Sequence, residues 1–270
     1  MPRPRKSLRR RRSSKSSTKR RKSKKMRGGV TVRAQDLTRL PSDVFGEIRE
    51  MHPLLTPKLT SATIGRVVKD YNSNPRAKRE VIRLFGKIEN WDVSNVTNMS
   101  SLFANAHSFN QPLNNWNMSN VETMNGVFDG AISFNQPLNK WNVSNVTDME
   151  SMFINAESFN QPLNKWNVSN VRNMGGMFYK AQSFNQPLNN WNVSKVKYMH
   201  QMFAGASSFN QPLNKWNVSN LTNMLGMFSF ASSFNQPLNN WNVSYLTFVS
   251  FMFDGAESFN QPLLAPWYQR

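Results

Sequence analysis

Apolar and polar residues recur over most of the chain with a period of about 25 residues, which is within the range typical of stacked repeats. Seven tryptophans mark the period, and counting each as position 1 places apolar residues at positions 1, 3, 6, 9, 12, 13, 16, 19 and 23. Such repeats stack because a single one cannot bury its own apolar face. The tryptophans are Trp91, Trp116, Trp141, Trp166, Trp191, Trp216 and Trp241.

Each repeat is predicted to contain two elements and a turn. Trp at position 1 and the apolar residue at position 3 alternate as in a short strand, whereas positions 6 to 16 have the spacing of a helix, with Ser144 or Asn145 as its N-cap in repeat three. Asn-Gln-Pro at positions 20 to 22 forms the return turn. The pattern therefore predicts an α/β solenoid of seven strand-helix repeats over residues 91–265, with parallel strands about 4.8 Å apart.

Stacking places each residue on its counterpart at the same position of the next repeat. The phenylalanines at position 13, such as Phe153, and those at position 19, such as Phe159, are expected to form two internal columns. The alternative is that these rings stack on nucleic-acid bases. The asparagines at position 20, such as Asn160, are expected to form a ladder that bonds the amides of the return loop.

The segment "WDVSNVTNMSSLFANAHSFNQPLNN" at 91–115 resembles the repeat of BspA-like leucine-rich-repeat proteins, which are known from Mycoplasma lipoproteins and from protists and giant viruses. The resemblance covers about 91–265 and is carried by Trp-x-Val-Ser-Asn-Val-Thr-x-Met. It implies a leucine-rich-repeat-like solenoid used for binding or adhesion, without catalytic residues. Many relatives are secreted and have Cys near position 16, where this chain has Ala.

Residues 30–90 are predicted to be a helical region that caps the first repeat. Asn74 and Pro75 begin a helix that ends at Gly86. Upstream, Leu-Pro-x-Asp-Val-Phe-x-x-Ile within 37–50 resembles the opening of an F-box and implies a ubiquitin-ligase adaptor; the alternative is an amphipathic capping helix. Residues 266–270, with Trp267 and Tyr268, are predicted to cap the other end.

The formal net charge of +19 is concentrated at the N-terminus, where residues 1–29 hold 15 of the 34 Lys and Arg. Residues 91–270 carry eight basic and eight acidic side chains. Residues 1–29 are therefore predicted to form a disordered basic tail that contacts nucleic acid without sequence preference. An import signal at "KRRKSKK" and an anionic membrane surface are alternatives. The tail residues are Arg9, Arg10, Arg11, Arg12, Lys19, Arg20, Arg21, Lys22, Lys24 and Lys25.

Composition argues against several other classes of protein. The chain has no cysteine, so it can form neither a disulfide framework nor a thiolate metal site. Its three histidines fall at unrelated positions, and no enzyme motif, cofactor motif or membrane-spanning stretch is present. We therefore expect a protein that is not an enzyme, takes no cofactor and is intracellular, in the nucleus, a virion or a virus factory, rather than secreted.

Variable positions, mainly 7, 8, 10, 11, 14, 15 and 17, are the ones that can distinguish partners. Arg172 and Lys197 share position 7 in adjacent repeats, about 5 Å apart along the stack, which favours an acidic partner unless the side chains splay into solvent. Aromatic residues gather in the later repeats and predict an interface, although Phe248 could instead belong to the C-terminal cap. The candidates are Arg172, Tyr179, Lys180, Lys197, Tyr198, Phe230, Tyr245 and Phe248.

These observations favour a repeat protein whose solenoid binds a protein partner while its basic tail contacts nucleic acid. The resemblance also implies that the chain is a protein of a giant virus. An F-box-type adaptor and a surface adhesion protein are the alternatives.

Overall fold

A computed structural model of the chain describes residues 58–243 and 248–262. Helix α1 spans Ile64–Ser73, helix α2 spans Pro75–Phe85, and a 3₁₀ turn at Ile88–Asn90 leads into the first repeat. The basic tail, the F-box-like segment at 37–50, Tyr245 and the predicted cap at 266–270 lie outside the described residues.

Helix α2 begins and ends where the sequence predicts. The Asn74 side chain accepts a hydrogen bond from the Ala77 N–H at 2.9 Å, which satisfies one of the free amides of the first turn. Gly86 follows the helix with φ 76° and donates its N–H to the Ile82 carbonyl at 2.8 Å. This left-handed conformation is readily available to glycine, so the predicted stop is confirmed.

The two helices cover the apolar end of repeat one. Tyr71 from α1 meets the Trp91 ring edge-on, with 5.7 Å between ring centroids, and Phe85 from α2 lies 6.0 Å from the same ring. All three side chains are buried. The aromatic surface that would otherwise face water at this end is thereby closed.

Successive repeats pair in parallel at position 8, as at Asn98 and Thr123. Around this point the amides at positions 9, 11, 13 and 15 donate to the carbonyls at positions 8, 10, 12 and 14 of the next repeat. The Phe128 N–H, for example, lies 2.8 Å from the Met152 carbonyl oxygen. Backbone hydrogen bonds from these four positions thus fix the register of each junction between adjacent described repeats.

The helix predicted over positions 6 to 16 is wrong for the described repeats, which form a run of turns there. Alternate amides point to the next repeat, and those between them donate to the carbonyl three residues back, as from Val127 to Met124 at 3.3 Å. Positions 11 and 15 have positive φ in all seven repeats, as at Gly126 (59°) and Gly130 (66°). A right-handed helix cannot contain such residues.

The predicted strand at positions 1 to 3 is also wrong, because the bridges lie at position 8 instead. At position 1 the backbone turns: the Trp141 N–H donates to the Leu138 carbonyl at 3.1 Å. The Trp141 indole Nε1 donates to the carbonyl of Leu113 at 2.9 Å, which satisfies the polar atom of a ring that is otherwise in the core.

The two predicted phenylalanine columns are confirmed. Phe153 lies 5.4 Å from Phe128 and 5.6 Å from Phe178 in the first column, and 4.1 Å from Phe159 in the second. All these rings are buried, so they form core and are not a platform for bases. Dispersion and burial of these rings hold the repeats together.

The asparagine ladder is confirmed as well. Asn160 Oδ1 accepts hydrogen bonds from the Asn185 backbone N–H at 3.0 Å and from Gln186 Nε2 at 2.9 Å. Each asparagine therefore satisfies an amide of the next return loop, where no strand pairing is present among the described residues.

Candidate functional site

Exposed apolar side chains are concentrated at one end of the stack. Of six large apolar side chains exposed among the described residues, five lie in repeats five to seven. Together with Arg172, Tyr179, Lys180 and Lys197 of repeats four and five they form what we call the basic–aromatic surface. Its described members are Arg172, Tyr179, Lys180, Lys197, Tyr198, Leu225, Phe230, Phe248 and Phe251.

Arg172 and Lys197 occupy position 7 of adjacent repeats, as predicted. The Lys197 N–H donates to the Arg172 carbonyl at 2.9 Å, and both side chains are exposed. Neither has an acidic partner within salt-bridge distance in the described part of the chain. Lys195 lies two residues earlier, where its Nζ donates to Asn170 Oδ1 at 2.7 Å. Two adjacent cations without a counter-charge favour a negatively charged ligand.

Tyr179 and Lys180 interact with each other. Lys180 Nζ lies 5.2 Å from the centroid of the half-buried Tyr179 ring, in the range of a cation–π interaction. Lys180 has φ 55°, and its aliphatic stem lies against Gly205 of the next repeat. Glycine at this point leaves room for the stem, so the ammonium group is held near the tyrosine.

Position 8 carries Tyr198, Asn223 and Phe248 in repeats five, six and seven. Parallel bridges join Tyr198 to Asn223 and Asn223 to Phe248, so the two rings flank the amide side chain. Tyr198 is 44% exposed and Phe248 is 56% exposed. Asn223 Oδ1 accepts from the Leu225 N–H at 3.0 Å, whereas its Nδ2 has no partner among the described residues.

Phe230 lies against the neighbouring repeat. A Cβ added to Gly255 would overlap the Phe230 ring, so the missing side chain provides the space that the ring occupies. The ring is nevertheless 62% exposed, and Phe251 reaches 70%. Glycine recurs at positions 11 and 15 of several repeats, where it would interrupt the helix predicted from the sequence. This recurrence is the sequence signal that could have predicted the left-handed conformation at both positions.

One contact crosses the boundary between acidic and basic repeats. The His200 ring occupies the space above Gly175 and places Nε2 3.9 Å from Glu150 Oε1, two repeats away. Glu150 Oε2 also accepts from Asn173 Nδ2 at 2.9 Å. In repeat two, burial raises the pKa of the Asp129 carboxyl above its ordinary value. Glu150, Gly175 and His200 all occupy position 10 of successive repeats, so the period places them in one column, and the glycine leaves the space through which the histidine reaches the glutamate.

Other candidate sites lie elsewhere or are absent from the described residues. A groove of about 730 Å³ lies between α1 and repeat one, near Lys69 and His107, and contains none of the predicted site residues. Within 58–243 and 248–262, no three His, Asp or Glu side chains are grouped as metal ligands would be. No helix in these ranges has the length and apolar character needed to cross a bilayer.

The profile of the family described as "Mycoplasma protein of unknown function, DUF285" matches residues 76–191 and 183–268. The chain belongs to this family. The match extends from α2 through the seven repeats, including the basic–aromatic surface, and confirms the Mycoplasma-type part of the resemblance to BspA-like repeats. No curated protein and no solved structure matches the chain.

Proposed function

We propose that this chain is a non-enzymatic interaction protein. Its repeats form a leucine-rich-repeat-like solenoid that binds a negatively charged segment of a partner protein through the basic–aromatic surface. The observation that carries this proposal is the pairing of unneutralised Arg172 and Lys197 with five exposed apolar side chains in repeats five to seven. Exposed apolar patches on folded proteins usually mark interaction sites.

The chemistry of the core supports binding and not catalysis. The aromatic columns and the asparagine ladder are committed to junctions between repeats, so the exposed, variable positions remain for recognition. The family is described as one of unknown function, so its description names no catalytic activity that would contradict a binding role.

The first experiment compares two charge reversals in the full chain. Lys197→Glu lies in the basic–aromatic surface, whereas Lys140→Glu makes the same change at an exposed lysine at position 25 of repeat two. The probe is poly-L-glutamate, titrated at several salt concentrations. The proposal expects Lys197→Glu to weaken binding several-fold more than Lys140→Glu. Equal effects of the two reversals would contradict it.

We further propose that the basic tail contacts nucleic acid, in the nucleus or in a virion. Substituting glutamine for Arg9, Arg10, Arg11 and Arg12 should flatten the slope of log K against log salt for a random DNA duplex. The expected loss is roughly 0.9 per phosphate contact removed. An unchanged slope would reject this assignment and leave the import signal as the use of the tail.

A further inference from the structure

Charged and aromatic residues follow one another in a fixed order along the stack. Arg172 and Lys197 occupy position 7 of repeats four and five, while Tyr198 and Phe248 occupy position 8 of repeats five and seven. Lys197 and Tyr198 are neighbours in the chain. The column of cations therefore lies beside the column of aromatic rings and ends where the aromatic residues begin.

Tyr198 and Phe248 leave a gap above repeat six. Their backbones are two parallel repeats apart, which is roughly 10 Å at 4.8 Å per repeat. Directly paired aromatic rings have centroids about 4.5–7 Å apart, so this separation is too wide for the rings to pair with each other. The separation is wide enough for one further side chain to lie between the two rings and to contact each of them at an ordinary distance.

The floor of this gap carries a hydrogen-bond donor. Asn223 is half-buried and its Oδ1 is occupied by the Leu225 N–H, so the amide orientation is fixed. Nδ2 has no partner in the described residues. A donor held between two apolar rings fits a backbone carbonyl of an inserted segment.

The distribution of charge limits where a negatively charged ligand can lie. Repeats four and five carry Arg172 and Lys197, but position 7 of repeat two is Glu122 and position 8 of repeat three is Asp148. A long polyanion that followed the stack would meet these carboxylates. A short acidic segment over repeats four and five would not, which favours a peptide over a nucleic-acid strand.

We propose that the basic–aromatic surface recognises a two-part peptide motif. An acidic residue lies over Arg172 and Lys197, and a bulky apolar side chain inserts between Tyr198 and Phe248 above Asn223. The anchoring points are one to two repeats apart, or roughly 5–10 Å, and an extended peptide advances about 3.3 Å per residue. The acidic residue and the apolar anchor are therefore two or three positions apart. This inference rests on the proposed function, since it specifies the ligand of that surface.

The test uses the full chain and three fluorescein-labelled peptides. The probe has the sequence Gly-Glu-Glu-Gly-Ser-Leu-Ser-Gly; one control replaces Leu by Ser, and the other replaces both Glu by Gln. Fluorescence anisotropy gives the affinities. Burial of one leucine side chain corresponds to a gain of about tenfold, so we expect the probe to bind that much more tightly than its serine control.

Protein variants then locate this gain. Phe248→Ser should abolish the leucine-dependent gain and leave binding of the serine control unchanged, and Tyr198→Ser provides a second variant of the same gap. The matched control is Ile132→Ser, an exposed apolar residue in repeat two. Because every variant keeps the basic tail, attraction of acidic peptides to the tail cancels in the comparison. Thermal unfolding checks that each variant is folded.

The outcomes separate this motif from the broader proposal. If leucine and serine peptides bind equally while Lys197→Glu weakens both, the inserted anchor is rejected and the protein-binding function stands. If Lys197→Glu and Arg172→Glu also bind every peptide as the parent chain does, both proposals fail. If a single-stranded RNA oligomer binds and loses affinity in Phe248→Ser while the peptides do not, the surface is a nucleic-acid site.

Discussion

Replacing Gly176 with alanine tests the turn structure of the repeats by the sign of its effect. Gly176 lies at position 11 of repeat four with φ 60°. A side chain in this left-handed region costs about 1–2 kcal/mol. The added Cβ would lie 3.4 Å from Ile154 Cδ1, an ordinary contact that neither adds a clash nor offsets the strain. We therefore expect the free energy of unfolding to fall by about 1–2 kcal/mol.

The helix predicted from the sequence gives the opposite expectation. Glycine inside a helix is less favourable than alanine by about 0.5–1 kcal/mol, so Gly176→Ala would stabilise a helical repeat. The two structures thus differ by roughly 2 kcal/mol in the effect of one methyl group. Urea titration followed by tryptophan fluorescence resolves a difference of this size.

Gly65→Ala provides the matched control. Gly65 lies within α1, and a Cβ added there meets nothing within 4 Å. The same substitution should raise the free energy of unfolding at this site, by about 0.5–1 kcal/mol. If Gly176→Ala stabilises the chain as Gly65→Ala does, the left-handed assignment at position 11 is refuted.

Three further substitutions test the core, a buried hydrogen bond and a titrating group. Phe153→Ala removes a buried ring from the first column, together with its contact to Phe159 of the second, and should cost about 3–5 kcal/mol in the same urea assay; a loss below about 1 kcal/mol would contradict the stacking argument. Trp141→Phe should cost about 1 kcal/mol for its hydrogen bond, because the Leu113 carbonyl keeps a second donor in the Trp116 backbone N–H, and about 1 kcal/mol or more for the cavity that the smaller ring leaves in the core. Burial raises the pKa of Asp129, so its protonated form stabilises the fold below pH 3.8 and this contribution is lost as pH rises through the raised pKa. Asp129→Asn should therefore be more stable than the parent at pH 7 and less dependent on pH above 3.8 in urea titrations; a destabilised variant would refute the burial argument.

The inside of the stack could be predicted because identity at a fixed period leaves few alternatives. A ring such as Phe153, present at the same position of every repeat, meets the same ring above and below whatever the local backbone conformation is. The same reasoning predicted the Asn160 ladder, since an amide side chain in a column can satisfy the next loop. Neither prediction needed the secondary structure to be correct.

The backbone between the columns could not be predicted in this way. Apolar spacing of three and four residues, as from Val146 to Met149 and Phe153, fits a helix and also fits turns closed by bonds to the carbonyl three residues back. The difference lies in φ at positions 11 and 15. Ser151 and Asn155 have positive φ, but their residue types do not indicate it. Glycine, as at Gly176, does indicate it, although only a comparison of all the repeats shows that the same position is left-handed in each.

The candidate site was predicted in part. The adjacency of Arg172 and Lys197 follows from the period alone. Phe230 and Gly255 also share a position, 15, but that the Phe230 ring lies against Gly255 does not follow from the period, because it depends on the direction in which a left-handed residue projects its side chain. Asn223 Nδ2 lacks a partner among the described residues because the Leu225 N–H bonds to Oδ1 and not to the nitrogen side of the amide, and a sequence cannot specify that.

Glycines at position 11 explain how a uniform core can carry a variable surface. Ser151 lies over Gly176 and Gln201 lies over Gly226, with the nearest side-chain atom of each 3.6 Å from the point that a Cβ would occupy. The apolar core residues recur in every repeat, whereas glycine at position 11 recurs in every second repeat. A glycine in alternate repeats gives the preceding side chain space to lie along the stack, and so large residues can be placed outside without disturbing the ring columns inside. Phe230 uses the same arrangement at position 15, where it exposes an aromatic ring beside the proposed peptide site.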